Sequence, residues 1–227
     1  MAGPMQMYLY VHDAILRAVA GYEERARGLD AGSAAEVGAF ADELTWFHSM
    51  VKLHEHAEEQ VLFPAMNERF RFVAETYAFD HDDFEPHVFG GLDAALTGLR
   101  EPGGRADQRS ASDLLRRQTV ALHEHMRLHI SKENELLLPK FESEFDLDEQ
   151  ARLAGAMAGF FDPPMMGAMV GWMYDGQTDE DRAGMLRFLA ALLPPEVFGG
   201  LSQMLAGRDA TTWAEMQRRV PELAGPG

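Results

Sequence analysis

HEHAEEQVLFP, residues 54–64, and HISKENELLLP, residues 129–139, decide how this chain is read. Each places a histidine four residues before a glutamate, His54 before Glu58 and His129 before Glu133, and each ends on a proline six residues after that glutamate. Four residues is about one turn of an α-helix, so each pair projects from a single helical face. The second copy follows the first at a constant offset of 75 residues. Two such pairs suit one metal ion or two adjacent ones, and a dinuclear site is the leading expectation.

Working outward, apolar residues recur with helical spacing on both sides of each pair. Phe47, Val51, His54, Glu58, Val61 and Leu62 share one stripe, and Leu115, Leu122, Met126, His129, Glu133, Leu136 and Leu137 share another. The first stripe predicts a helix from a Ser33 cap to about Phe63, where Pro64 ends or bends it. The second predicts a helix capped by Ser110 or Ser112. An amphipathic helix from about Met5 to Gly28, with Leu9, His12, Leu16 and Val19 on one face, precedes them, and another from about Ala74 to Leu99 lies between. EPGGRAD, residues 101–107, is the clearest long loop.

His12-Asp13 in the first helix has its counterpart in His81-Asp82 in the third, so the order is His, HxxxE, His, HxxxE. This duplicated helical hairpin predicts an all-α fold: an up-down-up-down four-helix bundle over residues 1–145, followed by a smaller C-terminal helical extension over residues 146–227. Eight of the fourteen methionines lie between Met157 and Met216, and Pro163-Pro164 and Pro194-Pro195 divide that segment into short helices. Methionine fills irregular apolar contacts, so the extension is expected to pack on the bundle or to meet a partner or a second copy.

Composition narrows the chemistry. There is no cysteine, which excludes disulfides, iron–sulfur clusters and thiol nucleophiles and leaves imidazole and carboxylate as the available metal ligands. A net charge of −17 opposes phosphate backbones and anionic membranes. No leader or membrane-length apolar run is visible, so the expectation is a cytoplasmic protein with neither nucleic acid nor membrane as a partner.

Burying two glutamates and four histidines in an apolar bundle is costly unless something compensates them. Two divalent cations would satisfy His12, His54, Glu58, His81, His129 and Glu133 together. Mixed nitrogen and oxygen ligation favours iron or manganese, with zinc less expected. If Glu58 and Glu133 both bridge, each ion keeps open positions for a small molecule such as O2, H2O2 or NO. Glu55 and Glu85 are candidates for additional ligands, and His125, one turn before His129, for a hydrogen-bonding neighbour. Tyr8, Phe47, Tyr77, Phe84 and Met126, one turn from ligands, are expected as pocket walls. His48, His56, His87 and His123 fall off the ligand stripes and are read as surface or interhelical residues.

In His12, the His54–Glu58 pair, His81 and the His129–Glu133 pair, each of the four in its own helix, the sequence resembles the hemerythrin family and the wider group with the HHE cation-binding pattern, over residues 5–142. The resemblance implies a four-helix bundle holding two irons, with histidine ligands at these positions and both carboxylates bridging. Invertebrate oxygen-carrying hemerythrins have a further histidine four residues after the third-helix ligand, where this chain has Glu85. The pattern looks closer to the iron-responsive hemerythrin-like domains of ubiquitin ligases and to bacterial stress-linked relatives. In the iron-responsive group a glutamate directly follows the second-helix histidine, as Glu55 follows His54 here. The methionine-rich tail also resembles segments that follow hemerythrin-like modules in larger plant proteins. The expected function is a non-haem di-iron protein that binds or reacts with a small oxidant in sensing, detoxification or oxidation. The alternatives are an iron-responsive binding module without turnover and a di-iron oxygenase acting on an organic substrate.

Overall fold

The computed structural model describes residues 3–101, 104–220 and 223; the side chains of residues 84–86 and 105 are outside the described set, which takes in the expectations for Phe84 and Glu85. The described residues are almost entirely helical, with no strand among them. No helix among them is long and apolar enough to cross a membrane. The chain divides into two compact units, Ile15–Phe160 and Met1–Ala14 with Phe161–Gly227, and helix α1 (Gln6–Gly28) belongs to both.

Four helical rods build the unit Ile15–Phe160. The first is the C-terminal part of α1. The second is α2 (Ala34–Ala57), continued by a π-helical turn π1 (Glu58–Leu62) into α3 (Phe63–Arg69). The third is α4 (Glu75–Phe84), the turn π2 (Glu85–Phe89) and α5 (Gly90–Arg100); the fourth is α6 (Arg105–Lys132), the turn π3 (Glu133–Leu137) and α7 (Leu138–Glu144). Short connections make consecutive rods antiparallel, giving the up-down-up-down bundle. Helix α5 lies along α6, α2 packs on α5, and a further helix, α8 (Leu147–Ala158), covers π1. Val19, Phe40, Phe47, Leu62, Met66, Leu92, Leu115, Leu122 and Phe141 fill the interior.

Local chemistry accounts for the helix starts. Ser33 accepts the Glu36 N–H at 3.3 Å, as its N-cap position predicts. Helix α6 begins six or eight residues earlier than a Ser110 or Ser112 cap indicates, because these serines bond back to the carbonyls of Ala106 and Gln108 instead of capping. At its start the Asp107 carboxylate accepts the Gly104 N–H at 3.0 Å. Pro64 does not end the second rod: the helix passes it through π1 and runs on to Arg69.

The other unit contains α9 (Pro163–Gly176), α10 (Asp179–Leu192), α11 (Pro195–Arg208) and α12 (Ala210–Arg219). Pro163, Pro164 and Pro195 sit in first turns, where the missing N–H costs nothing. Asp162, Thr178 and Asp209 cap α9, α10 and α12 with side-chain oxygens. Met169, Met173, Met185 and Met216 are buried together with Tyr174, Leu186, Leu205 and Trp213, so the methionine spacing in α9 is that of a packing stripe.

Candidate metal centre

Glu58 and Glu133 are each the first residue of a π turn, at equivalent points of the two halves of the repeat. The Phe63 N–H bonds to the Glu58 carbonyl and the Leu138 N–H to that of Glu133, five residues back in place of four. A π turn adds a residue and re-phases everything after it. Leu136, expected on the buried stripe, is therefore 62% exposed, while Leu137, Leu138 and Phe141 are buried. Val61 is likewise only half-buried, and Leu62, Phe63 and Met66 take the interior. The ligand-type residues lie on the incoming side of each shift, so their four-residue spacing survives it.

The bundle brings His54, Glu58, His81, His129 and Glu133 together, all buried and both carboxylates with no exposed surface. One ligand atom from each of Glu58, His81, His129 and Glu133 lies within 4.8 Å of the others, and His54 shares the same limit with Glu58 and Glu133. His54 Nε2 is 3.3 Å from Glu58 Oε1, His81 Nε2 3.6 Å from Glu58 Oε2, and His129 Nε2 3.3 Å from Glu133 Oε1. His12 stands on α1, in the part of that helix belonging to the other unit; its side chain is fully buried, with the Tyr8 ring centroid 4.1 Å away.

Two carboxylates outside the expected set orient the imidazoles. Glu59 Oε1 lies 3.0 Å from Nδ1 of His81, and Asp80 Oδ2 lies 3.2 Å from Nδ1 of His129, while Lys132 pairs with the same Asp80 oxygen. With each Nδ1–H given to a carboxylate, both Nε2 atoms turn inward, the arrangement that raises the basicity of a metal-binding histidine. They meet at 3.1 Å. Two lone pairs at that separation repel, so a proton or a metal cation has to stand between them.

The electrostatics have the same origin. Burial opposes a charge on His129, but the Glu133, Asp80 and Glu58 carboxylates outweigh it and hold the imidazolium well above the usual range. His81 is pushed down, by burial first and by the charge on His129 second. Asp80 is lowered to about 2 by its hydrogen bond from His129, with Lys132 adding to this against the opposing effect of burial. A buried nitrogen and oxygen donor set of this kind, its two groups sharing Glu58 and Glu133, fits a hard or borderline metal cation.

The remaining expectations divide. Glu55 is buried on α2 but belongs to neither ligand group. His125 also stands outside both; its ring stacks on His129 at 6.2 Å between centroids, and burial followed by the charge of His129 lowers it to about 4. Tyr8, Phe47, Tyr77 and Met126 are buried as expected of walls, and Phe63 adds a ring 5.4 Å from that of His81. Among the off-stripe histidines, His48 stacks on Phe89, His56 meets the edge of Phe160, His87 is exposed, and His123 pairs with Glu23 at 2.6 Å. Glu59 and Asp80 each adjoin a ligand-type residue in sequence, which is the one local signal that marks them.

The hemerythrin HHE cation-binding domain family matches residues 5–141. The chain is 23% identical over 193 residues to zinc finger protein BRUTUS of Arabidopsis thaliana, an alignment that takes in 85% of this chain and 15% of that protein. A stretch of 193 residues exceeds the matched domain, so the likeness runs well into the region after residue 141. No solved structure matches the chain.

Proposed function

The chain belongs to the hemerythrin HHE cation-binding family, and from that premise we propose that it is a non-haem di-iron protein that binds or reacts with a small oxidant: dioxygen, peroxide or nitric oxide. The observation carrying this reading is the pair of ligand groups that share Glu58 and Glu133. One iron is assigned to His81 and His129. The other is assigned to His54 and to His12, which occupies the place in the first half of the repeat that His81 holds in the second. Glu58 and Glu133 serve both.

Iron bound in this way supplies open coordination positions and electrons for a small oxidant. The chain's own part is to hold the imidazoles and keep water out. Glu59 and Asp80 fix the inward-facing nitrogens, Lys132 adds to His129 in favouring the charged form of Asp80, and Phe63, Tyr77 and Met126 give the surroundings an apolar wall. Metal analysis with an optical spectrum under air, followed by addition of peroxide or NO, tests the proposal. Two irons per chain and a spectrum altered by the added molecule are expected; one iron or none refutes the dinuclear assignment.

The alignment with BRUTUS favours a second reading, because it extends past the bundle: an iron-responsive module in which residues 146–227 meet a protein partner or a second copy. Limited proteolysis separates the two. Iron-dependent protection of residues 146–227 without consumption of peroxide or NO supports the module, and turnover supports the first reading.

A further inference from the structure

Each π turn contains or closely precedes a proline: Pro86 lies within π2, and Pro64 and Pro139 follow π1 and π3 by two residues. Prolines 163, 164 and 195, in first turns, come with no such shift. We propose that Pro64 and Pro139 are positioning residues for the metal centre, holding the π register that begins at Glu58 and Glu133. This rests on the metal assignment above.

In an unbroken α register Pro64 would leave the Gln60 carbonyl without its donor and drive its ring against it, and Pro139 would do the same to Glu135. One extra residue relieves both. The Phe63 and Leu138 amides then pair with the carbonyls of Glu58 and Glu133, the residues that carry the carboxylates.

The gain is independent phasing of two faces. Downstream of each turn, Leu62, Phe63 and Met66, and Leu137, Leu138 and Phe141, pack into the core. Upstream, His54 with Glu58 and His129 with Glu133 aim at the site. Without the added residue the two sets differ in phase by about 100°. One has to yield, and the ligand pair opposes three large apolar side chains. A π turn is intrinsically less favourable than α-helix, so the proline excludes the competing register and keeps the carboxylates in place when no metal holds them.

The test is Pro64→Ala and Pro139→Ala, singly and together, in the full chain. Metal-free protein is melted, then titrated with Co(II) by its optical spectrum. Expected are a metal-free form that melts at the same temperature as wild type or higher, and Co(II) affinity at least about tenfold weaker, as for other groups that orient ligands. A merely structural proline would move both in the same direction. Affinity within twofold of wild type, or a metal-free form that melts lower, overturns the proposal. The register itself is read without metal from the Cα chemical shifts of residues 56–66. A return to α-helical values in Pro64→Ala is expected, and an unchanged π turn also overturns it. Wild type that takes up no Co(II) refutes the metal assignment, while the shifts still judge the register.

Discussion

Sharing of Glu58 and Glu133 between two ligand groups has a stoichiometric consequence that single substitutions expose. His81→Ala removes a donor from one group alone, whereas Glu133→Ala removes one from both. At free metal about 100 times the dissociation constant, each ion adds about 2.7 kcal/mol to the folded state. A chain of this size gains roughly 2–4 °C in Tm per kcal/mol. Metal should therefore raise the wild-type Tm by roughly 10–20 °C and that of His81→Ala by about half as much. Glu133→Ala and Glu58→Ala should gain little. Comparing each variant with and without metal cancels its effect on the metal-free fold, which matters because deleting a buried carboxylate can itself stabilise. Differential scanning calorimetry with metal analysis of the same samples reads both quantities. Glu133→Ala retaining one ion and the His81→Ala increment would refute the bridging assignment, and His81→Ala losing both ions would refute the division into two groups.

Register is tested by neighbours: Leu137→Ala, at a residue 2% exposed, should cost about 2–5 kcal/mol in urea unfolding, and Leu136→Ala, at one 62% exposed, within about 0.5 kcal/mol. Comparable costs would mean that the π turn is absent. Asp80→Asn keeps an acceptor for His129 but removes the negative charge beside it, so metal affinity should fall about 10–100-fold, measured by competition with a chelator. In metal-free protein His129 is raised from 6.5 to about 10, so its stabilising contribution is complete below pH 6.5 and lost as pH rises through about 10. Urea midpoints of the metal-free form should fall between pH 7 and pH 9.5 and flatten in His129→Gln. Metal affinity should rise over the same interval, because binding displaces that proton.

The rods and ligand pairs are legible in the sequence because an i,i+4 pair needs only one helical turn, too short for a change of period to disturb. Repetition of the pair, with the second His81-type position, then removes most of the ambiguity. Leu136 was out of reach for the opposite reason: a stripe extrapolated at 3.6 residues per turn crosses π3 and emerges one residue out of phase. Pro64 and Pro86 are visible too, but as helix ends, bends or kinks, since proline mid-helix ordinarily breaks the ladder. Glu59 and Asp80 are off the ligand faces of their own helices and acquire their role from imidazoles on neighbouring rods, a tertiary relation without local periodicity. Ser110 and Ser112 have cap chemistry, yet a helix interior can absorb a serine that bonds back to a carbonyl one turn earlier.

The facing imidazoles connect the two functional readings. His81 and His129 face each other at 3.1 Å with their outer nitrogens already committed, so the pair needs a positive charge between them, and a single proton meets that need only while it is retained. Metal supplies more charge at the same place and reaches the carboxylates as well, so occupancy and stability of the bundle rise together. Helix α8 packs directly on π1, whose first residue is Glu58, and Arg69 ties the end of α3 to the Glu144 carbonyl and to Glu149 of α8. Any change in the register at Glu58 is thereby felt in α8. A sensor exploits that coupling and an oxidant-handling protein has to resist it, so the response of α8 to metal removal discriminates between them. Hydrogen exchange over residues 147–158 that accelerates at least tenfold more than that of α5 on iron removal would favour the responsive module, and equal acceleration would favour the oxidant-binding protein.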